Sequence, residues 1–334
     1  MATNHMTPET TIATLDAEGL HFATTSSGRD AAVQAERKSI SPSMITGIQG
    51  CPARWAAQTF VIDTLIPRPV DDARARGSLF HKVMEVFFGL EPQERTRERL
   101  QRVIQDVFDG AEGVVDQDEF SPMKDIPEVV EWLSNAIDGY YEMGADPRQV
   151  QIATLSRHGR DVPGLEAFVK GHIGDAKRDV LGFVDRISVH PKGGYVVEDW
   201  KTGKPHQWNP DTSSDDGLAE QRQQILYTML LRQQGETVTS ARLIYPCART
   251  IVKVHLDNDA LVQRVVDDVS STDEALTSMM DANTFDYHPS YLCAWCPLAK
   301  VCPQATIKPY PKMQAAYESQ PDYADLSAGL QCKS

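Results

Sequence analysis

The chain has 334 residues, 41% of them hydrophobic and 24% charged. That length holds one large domain or two small ones around a real core and excludes a staple-dependent miniature fold, and the composition fits neither a disordered chain nor a membrane protein. Against 33 Lys and Arg stand 47 Asp and Glu, a formal net charge of −14. A polyanion must therefore be met by a local basic strip or by metal ions that offset carboxylates, not by the average field. No window approaches the ~20 apolar residues of a spanning helix. The N-terminus lacks the basic-then-apolar pattern of a secretory signal, so a cytoplasmic protein without membrane contact is expected. In that compartment six cysteines serve metal binding or redox chemistry more readily than disulfides.

Residues 1–37 are rich in Thr, Ala, Ser and Asp without a sustained period, which predicts a poorly ordered arm. Order is expected to begin at Ser41, a serine cap ahead of Met44, Ile45 and Ile48 on a short helix ending by Cys51 and Pro52. A second helix is predicted from Gly77 to about Gly89, with Leu79, Val83, Val86 and Phe87 at helical intervals, so that His81 and Glu85 lie one turn apart on one face. The polar stretch 91–165, with Arg95, Arg97, Arg99 and Arg102 in one run, reads as a helical insertion whose arginines face solvent. At Leu181 the pattern changes: LGFVDRISV, the turn residues PKGG, and YVVEDWK form a β-hairpin. A helix over about 218–234 follows a Gly, Pro, Ser and Asp loop, then ARLIYPC and TIVKVHL read as two strands.

Alternation along the second hairpin strand puts Asp199 and Lys201 on one face and Glu198 on the other. In the partner strand Asp185 sits among Phe183, Val184 and Ile187. A carboxylate in so apolar a strand is costly to bury unless paired or bound to a cation. Two such aspartates with a lysine beside one point to a Mg²⁺ or Mn²⁺ site, although Asp-x-Lys by itself also fits a solvated face or a cross-strand ion pair. Divalent metal and ammonium suit phosphodiester hydrolysis: the metal neutralises charge on the scissile phosphate and acidifies water, and the ammonium orients that water or stabilises the oxyanion. Gln223 and Tyr227, at i and i+4, project from one helical face towards the hairpin; a helix packed by Ile225, Leu226 and Leu230 is the plainer account.

Cys293, Cys296 and Cys302 have compact metal-ligand spacing, with Cys51, far upstream, as the fourth thiolate. Four thiolates hold either a tetrahedral Zn²⁺ or a [4Fe–4S] cluster, and spacing does not separate them. Joining such distant positions closes a loop whose entropy is of order 5 kcal/mol, which argues for a structural clamp. Cys247 and Cys332 fall outside the pattern, as a core thiol and a tail thiol.

In order along the chain, SPSMITGIQGCPARW at 41–55, RGSLFHKVMEVFF at 76–88, GFVDRI at 182–187, VVEDWKTGK at 196–204, QQILY at 223–227 and CAWCPLAKVC at 293–302 resemble the PD-(D/E)XK nuclease superfamily. The likeness is to its RecB-like branch, which includes CRISPR-associated Cas-four-type and phage-type exonucleases. The resemblance implies an α/β fold of the restriction-endonuclease kind, a mixed central sheet flanked by helices. It implies a nuclease core over 38–290 with a helical insertion at about 91–165. A cysteine-rich iron–sulfur segment over 291–312, completed by Cys51, and a tail over 313–334 follow. It makes His81, Asp185 and Asp199 metal ligands for Mn²⁺ or Mg²⁺, and Asp185, Asp199 and Lys201 the catalytic groups. It assigns Gln223 and Tyr227 to DNA contact. Cys51, Cys293, Cys296 and Cys302 become ligands of a [4Fe–4S] cluster, with zinc as the alternative. The implied activity is a metal-dependent DNA exonuclease acting on single strands or duplex ends, 5′ to 3′, in recombination, repair or CRISPR adaptation. It would work in the cytoplasm of a bacterium or phage-infected host, with proteins of those pathways as partners. The alternative is a non-catalytic DNA-binding iron–sulfur subunit of a helicase–nuclease or adaptation complex.

Overall fold

A computed structural model describes residues 11–66, 72–114, 119–144, 146–157, 159–205, 215–307, 310–327 and 329–332. The chain divides into two compact units, Pro69–Ile173 with Val180–Val266, and Met1–Arg68 with Gly174–Asp179 and Asp267–Ser334. The sequence suggests one continuous core over 38–290; the two ends of the chain instead build a unit of their own.

In the Pro69–Ile173 and Val180–Val266 unit, five strands form a mixed sheet in spatial order: β1 (Leu165–Gly171), β2 (Val180–Val189), β3 (Tyr195–Trp200), β4 (Val238–Tyr245) and β5 (Thr250–Lys253). All neighbours are antiparallel except β3 and β4, which run parallel. A parallel step requires a crossover, and the helix Asp215–Gln233 lies between those two strands in sequence. The β2–β3 hairpin turns through Gly193 and Gly194, whose φ of 94° and 77° are left-handed and favour glycine.

The hairpin is pinned by a buried ion cluster. Arg186 and Glu198 are cross-strand partners. The Arg186 guanidinium donates to Glu198 at 2.7 and 3.0 Å and lies over Phe88 and Trp200, 4.2 and 4.5 Å from their ring centroids. Arg242 on β4 donates to the same carboxylate at 2.6 Å. Glu198 is wholly buried, and removing one partner of such a pair costs about 3–5 kcal/mol. Glu198 thus ties three strands together, away from the chemistry, on the face opposite Asp199.

Three helices cover this sheet: α1 (Ala73–Gly89), α2 (Arg97–Phe108) and α3 (Pro127–Glu142). The Asp72 carboxylate caps α1, accepting from Ala75 N at 2.7 Å. Leu79, Phe80, Val83, Phe87 and Phe88 of α1 share one core with Leu100, Val103 and Val107 of α2, Val129, Leu133 and Tyr140 of α3, and Trp200 and Ile244. The stretch 91–165 is therefore core-forming rather than a solvent-facing insertion, and it ends in a hairpin, Thr154–Arg157 with Arg160–Pro163. Arg95 also departs from expectation: it is buried and donates to the carbonyls of Leu90 at 2.9 Å, Phe88 at 3.0 Å and Pro147 at 3.3 Å. Carbonyls left open where helices end draw that guanidinium inward.

The other unit holds a four-stranded sheet in the order Phe285–Asp286, Gly19–Phe22, Ala13–Leu15, Leu330–Cys332. The last two strands are parallel. The reading of 1–37 as a disordered arm is corrected for residues 11–37, which form two strands and the helix Ser26–Glu36; residues 1–10 lie outside the described residues. The 313–334 segment likewise carries helix Tyr323–Leu326 and strand Leu330–Cys332. Strands this short show no period, and their partners stand at the far end of the chain. Leu15, Leu20 and Phe22 pack with Trp55, Phe60 and Phe285 in a second core. Here Ser41 caps the helix Pro42–Gly50, its hydroxyl accepting from Met44 N at 3.2 Å. Among the described residues no helix is long and apolar enough to cross a membrane.

Candidate active site and metal centre

The site is organised by one peptide group at the end of β3. The Trp200 N–H donates to Asp185 Oδ2 at 2.8 Å, and His81 Nε2 lies 2.9 Å from the Trp200 carbonyl. A carbonyl only accepts, so His81 carries its proton on Nε2 when neutral, leaving the Nδ1 lone pair directed at Asp185 Oδ2, 3.4 Å away. A metal-binding histidine characteristically donates its second N–H to a carbonyl or carboxylate. Strand β2 thereby supplies the carboxylate, α1 the imidazole, and β3 the backbone that aligns both.

One atom from each of His81, Asp185 and Glu166 lies within 4.8 Å of the others. Glu166 is the member the sequence expectation lacked. It stands in β1 between Leu165 and Ala167, which stay paired with Arg186 and Val184. Its φ of 43° is left-handed, a strained conformation costing of order 1–3 kcal/mol that recurs at functional sites. The argument that marks Asp185, a carboxylate in an apolar strand, applies equally to LEAFV at 165–169; the insertion boundary drawn at 165 hid it.

Asp199 stands outside that mutually close trio but within its field. It is buried, and its Oδ2 lies 2.8 Å from Lys201 Nζ. The contact is a close ion pair. Burial and the Asp185 charge push the Asp199 carboxyl up to about 6, against Lys201 and His81. Glu166 is pushed up to about 7 by burial and by Asp185. Burial alone would lower His81, but Asp185, Asp199 and Glu166 outweigh it and raise the imidazole to about 9. The cluster takes up protons where a cation would otherwise neutralise it. An imidazole with hard carboxylate oxygens suits Mn²⁺ or Mg²⁺; a cation there would displace the proton that these carboxylates keep on His81, freeing Nδ1, 3.4 Å from Asp185 Oδ2, as a ligand.

Lys201 Nζ also donates to Gln223 Oε1 at 3.0 Å. Burial lowers its affinity for a proton, but Asp199 and Asp185 raise it further, so it is an ammonium at neutral pH. Tyr227 is 4% exposed, and its phenol is pushed up by burial and by Asp199. A Cβ on Gly182 would stand 2.3 Å from the Tyr227 ring, which explains the glycine that opens GFVDRI. Of the two residues assigned to DNA contact, Gln223 adjoins Lys201, and Tyr227 is buried against Gly182, within the field of Asp199 and Asp185.

In the other unit Cys51, Cys293, Cys296 and Cys302 line one pocket, with Arg54 and His288. All are free thiols. The His288 N–H donates to Cys51 Sγ at 3.5 Å and the Ser290 N–H to Cys293 Sγ at 3.3 Å. Burial pushes the Cys296 thiol up to about 12. No three of these four sulfurs lie within 4.8 Å of one another. Cys247 packs at the edge of the α1–α3 core and Cys332 is exposed.

Among solved structures, the chain is similar to that of SSO0001, with 11% identity and a TM-score of 0.27, covering 68% of this chain and 95% of that one. No curated protein matches the chain. The model of the PD-(D/E)XK nuclease superfamily matches residues 39–303, a span that contains His81, Glu166, the Asp185 and Asp199-x-Lys201 hairpin and all four pocket cysteines. A mixed sheet carrying an acidic hairpin, and a sequence match over most of its length, make this chain a member of the PD-(D/E)XK nuclease superfamily, the metal-dependent nucleases that bind and cut DNA.

Proposed function

We propose that the protein is a DNA exonuclease using Mn²⁺ or Mg²⁺, acting on single strands or duplex ends, 5′ to 3′, in recombination, repair or CRISPR adaptation. The carrying observation is the convergence of His81, Glu166 and Asp185 within 4.8 Å, beside the Asp199–Lys201 pair. When bound, a divalent cation supplies neutralisation of the scissile phosphate and acidification of water. His81, Asp185 and Glu166 would hold it, with Asp199 closing the site. Lys201 remains an ammonium, so its part is to orient the attacking water and stabilise charge on the pentavalent phosphate rather than to accept a proton. Gln223 Oε1 accepts from the Lys201 head, which also pairs with Asp199. The convergence of these polar groups supports an enzyme over a non-catalytic subunit.

We further propose a [4Fe–4S] cluster on Cys51, Cys293, Cys296 and Cys302, acting as a clamp between the two ends of the chain. A tetrahedral zinc with Zn–S near 2.3 Å brings its sulfurs to about 3.8 Å from one another; that no three of these sulfurs lie within 4.8 Å of one another supports the larger cluster over zinc. Backbone N–H groups directed at Cys51 and Cys293 suit thiolates.

End-labelled single- and double-stranded DNA, incubated with Mn²⁺ and then with EDTA, tests the activity. Cleavage from an end is expected, abolished by EDTA and by Lys201→Ala with an unchanged circular dichroism spectrum. Cleavage that persists in EDTA or in that variant overturns the assignment.

A further inference from the structure

The chain carries 47 Asp and Glu, yet among the described residues none of them lines the pocket of the four cysteines; the one permanently charged side chain there is Arg54. Arg54 follows Cys51 by three residues, on the helix Pro52–Ala57. Its guanidinium enters no hydrogen bond or ion pair among the described residues, so its charge is not already taken up by a carboxylate. Backbone N–H groups meet the sulfurs as well. His288 donates to Cys51 Sγ at 3.5 Å and Ser290 to Cys293 Sγ at 3.3 Å. At Cys296 the Leu298 N–H and the Arg54 charge oppose the effect of burial, and at Cys302 the N–H groups of Gln304 and Ala305 do the same. Four ligands on one group hold the chain ends together whatever the charge around them. The donors and the cation bear instead on how much negative charge the site can carry.

We propose that Arg54 is a charge-compensating residue that raises the reduction potential of the cluster, so that this lobe accepts an electron as well as clamping the chain ends; the proposal rests on the iron–sulfur reading above. The potential of such a cluster is set by its net charge, by hydrogen bonds to the sulfurs and by solvent exposure. One electron from an external reductant adds one negative charge to the cluster, and no bond forms or breaks. The guanidinium and the N–H dipoles interact more strongly with the more negative state and so favour uptake of the electron. Arg54 is exposed, and solvent screens its field. Its share is therefore about three- to tenfold in the ratio of reduced to oxidised cluster at a fixed potential, or ~30–60 mV at about 59 mV per tenfold for one electron.

The test is a redox titration of the full-length protein, purified without air, following visible absorbance and the electron paramagnetic resonance signal of the reduced state. The wild type is expected to take up one electron reversibly. Arg54→Gln should lower the midpoint by the amount above, Arg54→Met should lower it equally, and Arg54→Lys should keep it near the wild-type value. A wild-type cluster that no reductant reduces reversibly, or one midpoint shared by the wild type and a neutral variant, overturns the proposal. Iron retained by Arg54→Lys but lost from both neutral variants would show that the charge is needed for binding itself and supports the compensation. Loss of iron from all three variants would make Arg54 a structural residue and overturn it. A wild type that binds no iron refutes the cluster reading above, whereas a bound, reducible cluster indifferent to Arg54 refutes this proposal alone.

Discussion

Glu166→Gln should stabilise the metal-free protein at neutral and alkaline pH while weakening its response to metal. The Glu166 carboxyl rises from an ordinary 4.5 to about 7, chiefly through burial and the Asp185 charge. The folded state then holds a proton that the unfolded state releases between those values, so this group's contribution to stability falls as pH rises from 4.5 to 7 and stays low above it. At about 1.4 kcal/mol for each tenfold change in proton affinity, the ionised carboxylate costs the metal-free fold about 3 kcal/mol. Some of this is returned through His81, whose raised value draws partly on Glu166, so a gain of ~1–3 kcal/mol is expected for the glutamine variant at pH 8 in EDTA. Below pH 4.5 the two proteins should be equally stable. Added Mn²⁺ should raise the wild-type melting temperature through linkage to the folded state and raise the variant's by less. Thermal melts at three pH values, with EDTA or Mn²⁺, measure all of this. A variant less stable than wild type in EDTA at pH 8, with an undiminished Mn²⁺ shift, would refute the role of Glu166 as a charged member of the cluster.

Cys302→Ala should give colourless, aggregation-prone protein where the wild type absorbs in the visible; one equivalent of zinc and no iron in the wild type would defeat the cluster. Gly182→Ala drives a methyl group against the Tyr227 ring, 2.3 Å away, and should cost ~1–3 kcal/mol of stability in chemical denaturation together with a fall in kcat; a silent substitution would show that the ring is free to move. Protons compete with the cation at Glu166 and His81, which hold them to about 7 and about 9. Mn²⁺ affinity measured by calorimetry should therefore climb from pH 6 to pH 9 with proton release, and a flat profile would exclude these two groups as ligands.

Much of the site was legible because its residues break local rules. Asp185 stands out as a carboxylate in an apolar strand, and period-two alternation assigns Asp199 and Lys201 to one face and Glu198 to the other; the buried Arg186–Glu198 pair bears that division out. Glu166 breaks the same rule but escaped notice because the preceding helices were read as a continuous insertion. The stretch 91–165 reads as helical, yet its polar composition does not reveal that Val129, Leu133 and Tyr140 share a core with Trp200. The Ala13–Leu15 strand was illegible for a different reason. Three residues carry no period, and the parallel partner Leu330–Cys332 lies at the other end of the chain.

The same hairpin carries charge on both faces, and the two faces are handled in opposite ways. On one, Glu198 is fully compensated by Arg186 and Arg242, and its carboxyl is held below the usual range despite burial. On the other, Asp185, Asp199 and Glu166 are opposed by Lys201 and one imidazole, and the carboxyls of Asp199 and Glu166 are driven upward. A fold that satisfied both faces internally would have no use for an ion. The compensated face gives the hairpin its rigidity, and that rigidity allows the Trp200 peptide to keep His81 and Asp185 within reach of one cation while their mutual electrostatics press the site to take up positive charge. A cation held there by His81, Asp185 and Glu166 would neutralise the site locally, and an acidic chain would in this way be able to meet a phosphate.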